Sequence, residues 1–197
     1  MSASDEISRQ FGEIDIYLFD QLLRGRFDAR RRVLDAGCGS GRNLPYFVAH
    51  GFDVAAVDSE PAAVHAVQGL APGAVQGELN ALPWSDGQFD AVICSAVLHF
   101  ARDADHWTAM VQELWRVLAP GGLFFARLAS SIGIEPLLPH TTGRMRLPDG
   151  SERFVVDEQM LMSATRYAGG RLIDPLKTTV VQGQRAMTTW VAEKRAL

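Results

Sequence analysis

The stretch RRVLDAGCGSGRNLPYFVAHG, residues 31–51, decides the fold. Val33 to Ala36 is a short apolar run of strand length, and it passes through Gly37, Gly39 and Gly41 into a helix of about two turns that Gly51 ends. Pro45 is tolerable only in the first turn of that helix. The unit is β-loop-α, and it repeats at once. DVAAVD, residues 53–58, is the continuous apolar run of a strand buried on both faces, and Ser59 with Pro61 opens an Ala/Val-rich helix toward Leu70.

Downstream, Pro72 and Gly73 break the chain before AVQGE (74–78), a third short strand. A turn-rich loop, LNALPWSDGQ, precedes FDAVICSAVLHF, whose fourth strand begins near Asp90. Asp103 or Asp105 can cap a helix in which Met110, Val111, Leu114, Val117 and Leu118 recur at helical spacing. Ala119-Pro120-Gly121-Gly122 stops it, and LFFARL, residues 123–128, is the fifth strand. Alternating strands and helices on short connections predict a doubly wound α/β fold with helices on both faces of a mostly parallel sheet.

The flanks read differently. Residues 1–10 are polar and read as loosely held. From Phe11 the spacing of Ile14, Tyr17, Leu18, Gln21 and Leu22 predicts one amphipathic helix, a lid or buttress, that Gly25 ends. Residues 129–153 hold Gly133, Pro136, Pro139, Gly143, Pro148 and Gly150 without period, an irregular insertion. Asp157 can cap a helix to about Ala168. LIDPLKTTVVQ and AMTTWVAEK then form a hairpin-like pair about Gly183, which makes the last strand antiparallel and the sheet seven-stranded.

Composition narrows the class of function. The chain has 197 residues, 47% hydrophobic and 21% charged, which fits one globular domain and not a disordered or collagenous chain. A formal charge of -4 lacks the basic footprint of a nucleic-acid binder. The polar, acidic start carries no secretory signal and no apolar run has the length of a membrane span, so the expected location is the cytoplasm. Cys38 and Cys94 belong to no CxxC pair, which signals neither a disulfide framework nor a metal site; both read as reduced, small apolar fillers.

The glycine loop has three competing interpretations. A Walker loop needs GK[ST] at its end, and none is present. A dinucleotide fingerprint needs a small third residue where this chain has Arg42, which weakens a nicotinamide reading. What stands is Asp35-x-Gly37-x-Gly39-x-Gly41. An acid before the glycines repels a pyrophosphate and attracts an ammonium, while bare glycine backbone lets a ligand come close. Asp58, 17 residues after Gly41, stands where such folds place a carboxylate for ribose hydroxyls. Glu78 follows strand three at the same carboxyl edge. The ligand implied is a cation-bearing nucleoside.

These residues resemble the class I S-adenosylmethionine-dependent methyltransferases over most of residues 30–128. VLDAGCGSG resembles the family's first motif, VAAVDSEP the second, GELNALPWSDGQFDAVICSAVLHF the third and fourth, and LWRVLAPGGLFFARL the strand-five motif. In wording they are closest to small-molecule enzymes of the quinone-precursor and tellurite-resistance-like kind. The resemblance implies a Rossmann-like methyltransferase fold with S-adenosyl-L-methionine as cofactor and S-adenosyl-L-homocysteine as product. It implies that Gly37, Gly39 and Gly41, with Cys38 beside them, line the methionine and ribose. Asp35 would hold the ammonium, Asp58 and Ser59 the ribose diol, and Glu78 and Leu79 the adenine, with Glu where relatives commonly have Asp. Cys94 and Ser95 would pass the sulfonium.

On the acceptor side, His99 can orient a substrate or serve as base, although a packed histidine fits that position equally. Phe11 and Tyr17 could close over the sulfonium, but aromatics on such a helix are usually core. His140, Arg144 and Arg146 can meet an acidic substrate, or form an exposed basic loop. Trp84, Trp107 and Trp115 read as packing. The expected organisation is a single domain: 1–29 a lid or buttress, 30–128 the cofactor-binding core, 129–156 an irregular substrate cap, and 157–197 a closing helix and strand pair. The expected partner is a small-molecule acceptor, with no nucleic acid, no membrane and no metal, in a monomer or homodimer. The rival readings are a non-catalytic S-adenosylmethionine-binding sensor and, further off, an NAD-dependent oxidoreductase.

Overall fold

The computed structural model describes residues 3–196. Its elements, in order, are α1 (Ala3–Phe11), α2 (Ile16–Leu23), β1 (Arg32–Ala36), α3 (Leu44–Ala49), β2 (Asp53–Asp58), α4 (Pro61–Val67), β3 (Val75–Gln76), β4 (Phe89–Ser95), α5 (Ala104–Val117) and β5 (Leu118–Ser130). The chain continues through β6 (Gly143–Arg146), β7 (Glu152–Val155), α6 (Glu158–Tyr167), β8 (Gly170–Leu172), β9 (Lys177–Val181) and β10 (Arg185–Lys194). The main sheet runs β3-β2-β1-β4-β5-β10-β8, with β9 also on β10. β1 to β5 pair in parallel, and β10 enters antiparallel to β5. The sheet thus has eight strands in seven lateral positions, one strand more than expected. The outermost is split, because Pro175 falls between β8 and β9 and cannot donate to a ladder.

The period of two along the strands sorts the core into two layers. Val33, Ala91, Ile93, Leu123 and Phe125 bury against Leu18 of α2 and Phe47 of α3. Leu34, Val92, Phe124, Ala126 and Trp190 bury against α5 and α6 through Trp107, Leu114 and Leu161. Asp103 and Asp157 cap those two helices, their carboxylates accepting from the His106 and Met160 amides at 2.8 Å each.

Three expectations change. Residues 3–11 form a helix, and Gly12 at φ +63° separates it from α2, so the single amphipathic helix from Phe11 is two helices meeting at a turn. Phe11 ends the first, packed edge-on to Phe19 and stacked on Tyr46. The insertion after strand five is not wholly irregular. β5 runs on to Ser130, and residues 143–155 make the β6–β7 hairpin, whose Met145, Leu147 and Val155 cluster with Leu138. The Ala/Val-rich helix ends at Val67, short of Leu70. Among the described residues no helix is long and apolar enough to cross a membrane.

Candidate active site

The carboxyl ends of β1, β2 and β4 and the loop after β3 surround one cavity of about 520 Å³. Gly37, Asp58, Ser59, Glu78, Leu79 and Ser95 line it together. Gly37 has φ +78°, and a Cβ there would stand 2.3 Å from Val97 Cγ2, so only glycine fits this turn beneath the chain leaving β4. Asp58 organises the loop with both oxygens: one accepts from the Gly39 amide at 2.8 Å, the other from the Glu60 amide at 3.0 Å. The second bond orders the start of α4, so the acid at the end of β2 supports the walls of the cavity as well as facing it.

Asp35 is buried, 1% exposed, two residues before Gly37. Burial pushes its carboxyl up to about 7, against the pull of a hydrogen bond with Asn43 and of nearby Arg42. Its Oδ2 has no hydrogen-bond partner among the described residues. A buried carboxylate oxygen left unpaired is costly, and a ligand ammonium is the kind of group that would complete it. The cavity lining fits the nucleoside part of S-adenosylmethionine, with Asp58 and glycine backbone for the ribose and Glu78 beside buried Leu79 for the base, while Asp35 lies buried two residues before Gly37 and is not part of the lining.

Several sequence expectations meet different geometry, and Asp35 and Gly39 do not line the cavity. Cys94 is fully buried among the side chains of the α5 layer and does not face the cavity; Ala96 and Val97, past the end of β4, line it instead. Ala96 holds φ +65°, an uncommon conformation for a side chain bearing Cβ, and its amide donates to the Arg127 carbonyl at 2.7 Å. Cys38 is buried with Leu44, Val67 and Ala71, and burial pushes its thiol up to about 12. Gly41 is buried against α4, 2.7 Å from Val67 Cγ1 to an ideal Cβ, so it serves packing. Phe11, Tyr17 and His140 line none of this cavity: Phe11 lies on α3, Tyr17 belongs to the α2–α3 layer, and His140 is exposed.

Sequence reasoning missed several cavity residues, among them Phe100, Arg102, His106 and Met110. Phe100 ends the 3-10 turn after β4, Arg102 lies between that turn and α5, and His106 and Met110 are on the first turns of α5, where the apolar stripe gave Met110 to the core.

A second cavity of about 340 Å³ adjoins the first, and Ala96 and Phe100 belong to both. Arg42, His99, Arg127, Arg153 and Arg185 line it. His99 is 5% exposed; burial, then Arg153 and Arg127, push its pKa down to about 4. Its Nδ1 lies 3.3 Å from the Ala129 amide that donates to it, so the neutral ring carries its proton on Nε2. His99 is thereby a hydrogen-bond donor at neutral pH and a poor general base. Behind the wall, Asp15 accepts from Ser95 Oγ at 2.8 Å, lies 3.4 Å from the Arg42 guanidinium and 3.6 Å from that of Arg127. The Asp15 amide donates to Asn43 Oδ1 at 3.1 Å, which ties this cluster to Asp35. Among the described residues no group of three or more His, Cys, Asp or Glu side chains could hold a metal ion.

A doubly wound sheet with an inserted antiparallel strand and acids at successive strand ends is the Rossmann-like methyltransferase architecture. Comparison with known proteins points the same way: residues 34–126 match the methyltransferase domain family. An uncharacterized methyltransferase, YodH of Bacillus subtilis, is 38% identical over 112 residues, covering 54% of this chain and 43% of that protein. Malonyl-[acyl-carrier protein] O-methyltransferase of Enterobacter lignolyticus is 39% identical over 113 residues, covering 55% and 44%. The match thus spans less than half the length of these curated relatives. Among solved structures, the 1,6-didemethyltoxoflavin-N1-methyltransferase of Burkholderia thailandensis, with bound 1,6-didemethyltoxoflavin and S-adenosylhomocysteine, aligns at TM-score 0.68 and 21% identity, covering 98% of this chain and 86% of that one.

Proposed function

We propose that this chain transfers a methyl group from S-adenosylmethionine to a small-molecule acceptor, with the larger cavity holding the donor and the smaller one the acceptor. The observation that carries the reading is the junction of the two cavities at Ala96 and Phe100, just past the carboxyl end of β4. A binding site alone needs one cavity; a transfer needs two that meet.

S-adenosylmethionine supplies an already activated methyl group, so the protein's contribution is to align the acceptor and exclude water. Positioning of this kind can supply about 7–11 kcal/mol. In this reading Asp35, through its unpartnered Oδ2, binds the ammonium, and Asp58 accepts from the ribose diol while its amide bonds hold the loop. Glu78 and the Leu79 amide face the adenine. His99, fixed by the Ala129 amide, presents a donor to the acceptor and takes no proton. An acceptor that is already a competent nucleophile at neutral pH suits a site whose histidine is kept neutral. The N-terminal helices contribute through Asp15 and Tyr17, which lie behind the arginines of the acceptor wall, and the β6–β7 hairpin contributes Arg153.

Calorimetric titration with S-adenosylhomocysteine tests the donor site, and absence of binding at millimolar ligand overturns it. Asp58→Ala is expected to weaken that binding at least tenfold. Product release measured across phenols, thiols, amines and carboxylates tests turnover; binding without acceptor-dependent release from any class would leave a sensor and refute transfer.

A further inference from the structure

We infer that the acceptor carries an oxyanion, a carboxylate or a phosphate monoester, and that Arg127 and Arg185 bind it in the smaller cavity. The inference rests on the proposed function and adds the chemical class of acceptor.

The chain as a whole is acidic, with a formal charge of -4, yet four arginines line the 340 Å³ cavity and no acidic side chain does. These arginines come from four separate elements: Arg42 from the loop before α3, Arg127 from β5, Arg153 from β7 and Arg185 from β10. Like charges gathered from distant parts of a chain into one concavity cost repulsion unless something balances them.

The carboxylates near them do not balance them. Asp15 lies behind the wall, 2% exposed at its side chain, and is shared between Arg42 and Arg127. Asp149, on the turn of the β6–β7 hairpin, stands 3.9 Å from Arg185, at the limit of an ion pair. Arg153 stacks over the Phe100 ring at 5.0 Å, and its Nη1 donates to the Glu152 carbonyl. Two acids thus stand against four guanidinium groups, leaving an excess of two positive charges facing a small cavity.

Arg127 is the inner anchor. Its guanidinium stacks over the Tyr17 ring at 4.9 Å, and its Nε is buried with no hydrogen-bond partner among the described residues. The Tyr17 hydroxyl is hydrogen-bonded to Thr179 of β9, which fixes that ring beneath the arginine. A stacked and laterally held guanidinium is preorganised for a planar or tetrahedral oxyanion. Arg185 is the outer anchor. Arg127 pairs in register with Thr189, so Arg185 lies four residues further along the sheet, about 13 Å at strand rise. Both side chains nevertheless line the same cavity of about 340 Å³, a volume that suits a small organic acid or phosphate monoester.

The test uses the whole protein saturated with S-adenosylhomocysteine, with benzoate, phenyl phosphate and neutral benzamide as probes in calorimetric titration. Benzoate or phenyl phosphate is expected to bind at least tenfold more tightly than benzamide, and whichever anion binds better identifies the source of the oxyanion. Arg185→Glu, at an exposed position that tolerates change, and Arg127→Gln are each expected to reduce anion binding at least tenfold while leaving S-adenosylhomocysteine affinity within about twofold. Benzamide binding as tightly as both anions, no anion binding at all, or anion binding indifferent to Arg185→Glu overturns the inference. If S-adenosylhomocysteine itself fails to bind, the proposed function falls and this inference with it; if it binds and the anions do not, this inference alone falls.

Discussion

An ideal Cβ on Gly37 would lie 2.3 Å from Val97 Cγ2, whereas one on Gly39 would meet nothing within 4 Å, although both glycines hold positive φ. The two positions therefore separate conformational cost from steric cost. Gly39→Ala is expected to lose about 1–2 kcal/mol for its left-handed backbone. Gly37→Ala should lose a further 1–3 kcal/mol, roughly, from overpacking against Val97. Val97→Ala in the Gly37→Ala background should recover at least about 1 kcal/mol of coupling in urea denaturation. Equal losses for Gly37→Ala and Gly39→Ala, or no coupling with Val97, would show that the loop is not held by this contact. The same scale explains what could be read beforehand. Asp58 and Glu78 could be placed at the cavity because each stands at or just past a strand end, where open sheets place ligand groups; Asp35, one residue inside the end of its strand, is buried and outside the lining. Cys94 was misassigned because strand parity turns it into the α5 layer, and the left-handed residue Ala96 that carries the chain toward the cavity has no sequence signature.

Among the elements, α2 shows how a helix start can serve a site. Asp15 caps the helix, its Oδ1 accepting from the Tyr17 amide at 2.9 Å, while Oδ2 accepts from Ser95 and faces Arg42 and Arg127. Asn also caps helices well but brings no charge. Asp15→Asn is therefore expected to cost about 1–3 kcal/mol from the loss of charged hydrogen bonding, and Asp15→Ala about 1 kcal/mol more from the lost cap. Denaturation midpoints check this; an Asp15→Asn protein as stable as the original would mean that the buried charge balances nothing. Elements with caps and a clear period, α5 and α6, could be read from the chain. The β6–β7 hairpin did carry a signal: Met145 and Leu147 alternate with exposed Arg144 and Arg146, and Pro148-Asp149-Gly150 makes the turn. The abundance of glycine and proline around it hid that alternation. The grouping of arginines around the smaller cavity could not be read at all, since one loop and three strands distant in sequence supply them and only the fold brings them together.

For the whole molecule, Asp35 and His99 set opposite dependences of stability on pH. Asp35 is held at about 7, raised by burial, so between the ordinary carboxylate value and 7 the folded protein binds more protons than the unfolded chain. Stability from this group is fully present at low pH and is lost as pH rises toward 7. His99 is held at about 4, lowered by burial and by Arg153 and Arg127, so between 4 and 6.5 the unfolded chain binds more protons. Stability from this group is lost as pH falls through that window. Each contributes a slope of at most about 1.4 kcal/mol per pH unit, of opposite sign, and the two largely cancel from roughly pH 4.5 to 6.5. Both groups are buried, Asp35 near the end of β1 and His99 in the wall of the smaller cavity. Urea denaturation across this range should therefore show Asp35→Asn gaining stability relative to the original protein as pH rises, and His99→Gln gaining relative stability as pH falls. Parallel stability profiles for the three proteins would mean that neither group is held away from its ordinary value. Binding adds a check that folding cannot mimic. A ligand ammonium at Asp35 requires the carboxylate, so at pH 6 association of S-adenosylhomocysteine should release close to one proton, read from calorimetry in buffers of different ionisation enthalpy, and Asp35→Asn should abolish that release.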